Sequence, residues 1–176
     1  MNRVFQQITL PVKVAKLVAE PPDELLLMPV ADVSVVRIRD TWQAPRGEGR
    51  KHEGQDIFAP RGTPVVSAVK GFVYRIRHDR LGGKTVSVLG RGRRVYYYAH
   101  LSRYAPDLEE WAPVEPGTVL GFVGTTGNAR TTPPHLHFGI YGVSGPIDPL
   151  PMLVDPEMAR IGKRAIITRR IGTKAS

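Results

Sequence analysis

Between residues 62 and 141 the chain is a succession of short β-rich segments, each ended by glycine or proline. This rhythm is the strongest constraint on its fold. "TPVVSAV" (63–69), "FVYRIRH" (72–78), "KTVSVLG" (84–90), "RVYYYAH" (94–100), "TVLGFVG" (118–124) and "HLHFGIY" (135–141) are rich in β-branched and aromatic residues, which pack well on a pleated surface. In "FVYRIR", Phe72, Tyr74 and Ile76 fall on one face, and Val73, Arg75 and Arg77 on the other. "LGG" (81–83) and "GRG" (90–92) supply hairpin turns. The expectation is a mainly β, antiparallel sheet domain with a groove lined by loops and few short helices. One internal helix is expected around "PDLEEWA" (106–112), with Asp107 as its cap. Eighteen glycines and sixteen prolines, mostly at strand boundaries, fit a fold with many turns.

The organisation expected along the 176 residues is an N-terminal extension or connector over 1–39, one domain over 40–150, and a basic tail over 151–176. No run approaches the roughly 20 apolar residues that a membrane-crossing helix needs. The first 20 residues hold no clean apolar stretch of the export-signal kind, because Pro11, Lys13 and Lys16 interrupt it. With no cysteine, disulfides and thiolate metal sites are excluded, so any transition metal would be held by His, Asp or Glu.

The net charge of +9 is unevenly spread. Residues 70–94 carry eight Lys and Arg against Asp79 alone, and 155–176 carry six against two acids. Such a surface attracts polyanions: nucleic acid, anionic lipid or an anionic cell wall. Charge alone does not choose among them, and a solvated basic face needs no partner at all.

The histidines narrow the choice. There are five, and four of them lie at strand ends or in turn-rich segments: His52, His100, His135 and His137. On a strand, positions i and i+2 share a face, so His135 and His137 project together, while Leu136 and Phe138 turn toward the core. His52 stands four residues before Asp56. Two histidines and a carboxylate, with a position left for water, form the donor set of a catalytic zinc site. "HEGQD" begins like the helical H-E-x-x-H motif, yet its fifth residue is Asp56, and Gly54 and Pro60 disfavour a helix. His78 matches no such pattern.

Taken together, His52-x-Gly54-x-Asp56, "APRGTPVVSAVKGFV", "YAHLS", "VGTTGNA" and "PHLHFGIY" occur in the order seen in the lysostaphin-type zinc peptidoglycan endopeptidases, and the resemblance covers roughly residues 40–150. Pro134 stands where that family often has glycine. The resemblance implies one Zn²⁺ per chain held by His52, Asp56 and His137, with His100 and His135 as catalytic histidines flanking a water. Which of those two is the general base is left open. It further implies hydrolysis of peptide bonds in peptidoglycan stem peptides or cross-bridges, and a periplasmic, extracellular or wall-associated setting. Anionic wall polymers would meet the basic surface. The groove loops are expected around 40–51, 101–113 and 125–134.

Three other classes compete. A non-catalytic peptidoglycan-binding or regulatory module on the same fold would be marked by loss of a ligand, and none is lost. A nucleic-acid binder stacking bases on Tyr96–Tyr98 would not need the four histidines and Asp56 together, so no nucleic-acid partner is expected. A carrier domain modified at Lys70 lacks the flanking residues such a lysine has. Neither the bond cleaved nor the oligomeric state is legible.

Overall fold

The structure, a computed structural model, describes residues 3–157. The part of the expected basic tail beyond residue 157 lies outside the described residues. Among the described residues twelve strands follow one another: β1 Leu26–Leu27, β2 Gln55–Phe58, β3 Pro64–Val66, β4 Gly71–Asp79, β5 Gly83–Leu89, β6 Val95–Leu101, β7 Arg103–Tyr104, β8 Pro113–Val114, β9 Val119–Phe122, β10 His135–Gly142, β11 Gly145–Ile147 and β12 Leu153–Val154. The main sheet has the order β11-β10-β6-β5-β4-β8, with β2 also paired to β10, and its pairings are antiparallel. A second antiparallel sheet, β3-β9-β7, packs with it, and β1 pairs β12 in parallel.

All six segments read as strands carry strand, and the core lies between the two larger sheets. Tyr96, Tyr98, Leu136, Phe138 and Ile140 are fully buried there with Val65, Val86, Val88 and Leu120. The Tyr96–Tyr98 run alternates as a pleated strand requires. Tyr96 and Tyr98 point into the core, and Tyr97 lies on the other face. The Tyr98 hydroxyl accepts the Ala68 backbone N–H at 2.9 Å, so the buried phenol ties β6 to the segment after β3.

One expectation is corrected. Residues 106–112 do not form a helix. Asp107 and Trp111 have φ of 57° and 68°, the left-handed region that ends helical geometry, and Trp111 N–H instead donates to Val73 O. Within the segment expected as an N-terminal extension or connector, Arg3–Ala19 is a 17-residue α-helix, α1. Leu10, Val14, Leu17 and Val18 recur at helical spacing and are its less exposed positions, with Leu17 buried. The prolines and lysines that break an apolar run leave this stripe intact. The helix lies against the turn at 91–93, where Arg91 pairs with Glu20 and Asp23.

Candidate metal centre

β10 is the element that builds the site. Its first half is paired with β2 on one side and β6 on the other, and the register sets His137 opposite both Asp56 and Ala99. His52 stands four residues before Asp56, ahead of β2, and His100 directly follows Ala99 near the end of β6. Leu136 and Phe138, on the opposite face, are fully buried and anchor the strand.

Three donor atoms converge. His52 Nε2 and His137 Nδ1 are 2.8 Å apart, and each is 3.1 Å from Asp56 Oδ1. These three residues form a group able to hold a metal ion, with His52 and Asp56 buried and His137 half-buried. His52 Nδ1 donates to Thr41 O at 2.7 Å, which fixes the tautomer with a lone pair at Nε2. Asp56 has a second oxygen, and Arg46 Nη2 holds it at 2.6 Å. Burial pushes the Asp56 carboxyl up, but the facing His137 and His52 rings and the Arg46 guanidinium together hold it well below the usual carboxylate range. It is therefore an anion. His137 is pushed down, first by burial, against the pull of Asp56. His52 Nε2, His137 Nδ1 and Asp56 Oδ1 face one another around a position that a cation satisfies, and the donor set is the borderline-soft, cysteine-free kind that suits zinc.

Gly54 makes room for this arrangement. A Cβ there would lie 2.7 Å from His137 Cε1 and 2.7 Å from Phe138 O, closer than real contacts allow. The motif spacing thus has a packing reason as well as a chemical one.

The other two histidines border the same centre. His135 Nδ1 donates to Pro133 O at 2.9 Å, and its Nε2 lies 3.9 Å from Asp56 Oδ1. His100 Nδ1 donates to Thr126 O at 2.9 Å, leaving Nε2 as the acceptor of a neutral ring. The His100 ring centroid is 5.0 Å from that of His135 and 6.0 Å from that of His137. Burial, and then the neighbouring His135 and His137, lower the His100 pKa to about 4, so the ring is neutral near pH 7. His78 is exposed on β4, apart from this group.

His100 also carries a backbone feature that residue patterns do not reveal. Its φ is 64°, a conformation that costs a non-glycine residue about 1–3 kcal/mol and clusters at functional sites. The twist ends the alternation of β6, so Ala99, His100 and Leu101 are buried in succession. Gly124 accommodates the bend, since a Cβ there would stand 2.7 Å from His100 O. Sequence reasoning also missed Arg46, Thr41 and Thr126. Arg46 lies inside a loop read as a groove wall, while the two threonines meet the histidine rings through backbone carbonyls, which leave no side-chain signal.

Comparison with known proteins agrees with this geometry. The description Peptidase family M23 matches residues 50–149, more than half of the chain. The L-Ala–D-Glu endopeptidase of Bacillus subtilis (strain 168) is 40% identical over 126 residues, 65% of this chain and 39% of that protein. Lysostaphin of Staphylococcus simulans is 30% identical over 134 residues, 73% of this chain and 26% of that protein. The chain therefore spans well under half the length of these relatives. Among solved structures, the catalytic domain of lysostaphin superposes with a TM-score of 0.58 at 28% identity, over 66% of this chain and 92% of that one. Helicobacter pylori Csd3 superposes with a TM-score of 0.61 at 32% identity, over 74% of this chain and 33% of that one. With an antiparallel β fold, a His–Asp–His group at the edge of its main sheet and a family match spanning both halves of that group, the chain belongs to peptidase family M23.

Proposed function

We propose that the protein is a zinc-dependent endopeptidase that hydrolyses peptide bonds in peptidoglycan. The observation that carries this reading is the convergence of His52 Nε2, Asp56 Oδ1 and His137 Nδ1 within 3.1 Å, bordered by two further histidines. The relatives support the substrate class, since one is named for cleavage at L-Ala–D-Glu and another is lysostaphin.

His52, Asp56 and His137 would hold the metal. Bound zinc lowers the pKa of a water to about 7 and polarises a carbonyl. Around it, the chain's own groups divide the proton work. Neutral His100, its Nδ1–H committed to Thr126 O, presents Nε2 as a proton acceptor. His135, committed in the same way to Pro133 O, presents Nε2 on the Asp56 side. Each ring can take a proton and return it to a leaving amine, and once protonated each can donate to a developing oxyanion. Arg46 and Thr41 keep Asp56 and His52 oriented. The site of action would be wherever peptidoglycan lies, outside the cytoplasmic membrane, and the exposed Arg75, Arg77 and Arg80 would favour association with anionic wall polymers.

Digestion of purified peptidoglycan by the zinc-loaded protein, followed by mass spectrometry of the released fragments, tests the reading. New amino termini are expected, and none with His137→Ala. Intact wall in both, with zinc shown to be bound, would overturn it.

A further inference from the structure

On the far side of β2 from β10, next to the candidate metal centre, is a cavity of about 300 Å³. Arg37, Ile38, Arg39, Asp56, Phe58 and Pro60 are among the residues that line it. It shares Asp56 with the metal centre, and none of the metal-centre chemistry accounts for its two arginines.

Three features make it a prepared site. First, the arginines are available: neither Arg37 nor Arg39 has an ion-pair partner among the described residues, and both are exposed. The acid sharing the cavity with Asp56 is Asp32, while Asp56 itself is engaged by Arg46 and both histidines. Second, the backbone that carries the arginines is held from two sides. Asp155 accepts from Ser34 Oγ at 2.7 Å and from Val35 N–H at 2.8 Å, fixing the turn Val35–Arg37. The fully buried Gln55 donates to Arg39 O and accepts from Thr41 N–H. Third, the outer edge of β2 is open at Phe58. Ala59 N–H donates to Pro134 O and Asp56 N–H to Thr41 Oγ1, so odd-numbered residues face β10 and even-numbered ones face away. The Phe58 N–H and C=O therefore point to the outer edge, with which no strand pairs among the described residues. The Phe58 ring, 51% exposed, lies 5.2 Å from that of His135.

An unpaired strand edge takes an extended peptide through main-chain hydrogen bonds. Guanidinium forks match carboxylates in shape and charge. We propose that this cavity is the subsite for a carboxylate-bearing residue of the substrate, with the peptide extended past the outward main-chain groups of Phe58 and its carboxylate meeting Arg37 and Arg39. The proposal rests on the endopeptidase reading for its substrate class.

The test is a binding titration of the full chain with two probes: a peptidoglycan stem pentapeptide with all its carboxylates free, and the same peptide with every carboxylate as a primary amide. Hydrolysis of each by the zinc-loaded protein is measured in parallel. The unmodified protein should bind the free-acid peptide about 10- to 100-fold more tightly than the amide. Arg37→Gln/Arg39→Gln should lose that discrimination and hold both peptides at the amide level. Should the double variant fail to melt as a folded protein, Arg37→Gln and Arg39→Gln singly should each lose part of it. Equal binding of the two peptides by the unmodified protein, or discrimination retained in the folded variant, overturns the subsite. If the peptides are cleaved without discrimination, the subsite falls and the endopeptidase reading stands. If discrimination is present and neither peptide nor wall is cleaved, the endopeptidase reading falls and the subsite stands.

Discussion

His52 Nε2 and His137 Nδ1 lie 2.8 Å apart although 85 residues separate them in the chain. Their approach is a product of sheet register, since β10 brings His137 opposite Asp56 and the turn before β2 carries His52 back over it. Removing one member should leave the fold and lose the metal. His137→Ala should weaken zinc binding by about a thousand-fold or more, because two ligands rarely retain zinc against solvent. Competition with a chromophoric chelator measures it, and near-wild-type affinity would disprove the assignment.

His100 and His135 should separate from the ligands by the opposite signature. His100→Ala and His135→Ala are expected to bind zinc about as the unmodified protein does and to lose peptide hydrolysis by about 10²- to 10⁴-fold, the range for a general acid–base group. Zinc stoichiometry and cleavage rate, measured on the same samples, make the distinction.

The lowered pKa of His100 predicts a pH-dependent stability. Above its ordinary value of 6.5 the ring is neutral in both folded and unfolded chains, and its contribution is fully present. As pH falls from 6.5 toward about 4 the unfolded chain takes up the proton first, so stability decreases across that window. His137, lowered as well, adds to the same slope. Denaturant unfolding of chelator-treated protein should show this loss, and His100→Gln should flatten it in part. An equally steep slope in the variant would contradict the account.

Gly54→Ala tests the cradle under His137. Its methyl group would stand 2.7 Å from the imidazole and from a β10 carbonyl, so strand or ring must shift. Overpacking of this kind costs about 1–3 kcal/mol, and zinc affinity should fall with it. Thermal melting with and without zinc reads both effects.

Tyr98→Phe provides a change remote from the chemistry. The buried hydroxyl is the partner of Ala68 N–H, and its loss leaves that donor unpaired at a cost of about 1–3 kcal/mol. Stability should drop while zinc affinity and cleavage hold.

Much of the centre was legible because its parts are local patterns. H-x-H reads as one strand face, and the spacing of His52 and Asp56 excludes a helix through Gly54 and the nearby Pro60. The six β-rich segments between 62 and 141 likewise carry the β-branched and aromatic residues that suit strands, and each carries strand. What was missed depends on contacts distant in sequence or on backbone conformation. The left-handed φ of His100 is imposed by neighbours such as Gly124, and β-strand propensity does not encode it. The cavity beside Asp56 needs Asp155 to brace a turn 120 residues earlier. The expected helix at 106–112 failed because propensity in so short a stretch yields to the pairing of Trp111 with Val73. In α1, by contrast, a helical stripe was obscured by the Pro11 within it.

The most direct test of the account is a zinc titration of chelator-stripped protein, followed by release of new amino termini from purified peptidoglycan. Hydrolysis should be absent without metal, rise with added zinc, and level off at one equivalent per chain. It should stay absent at every zinc level in His137→Ala. Hydrolysis that persists in the stripped protein or in that variant would contradict the claim that His52, Asp56 and His137 hold the metal on which cleavage depends.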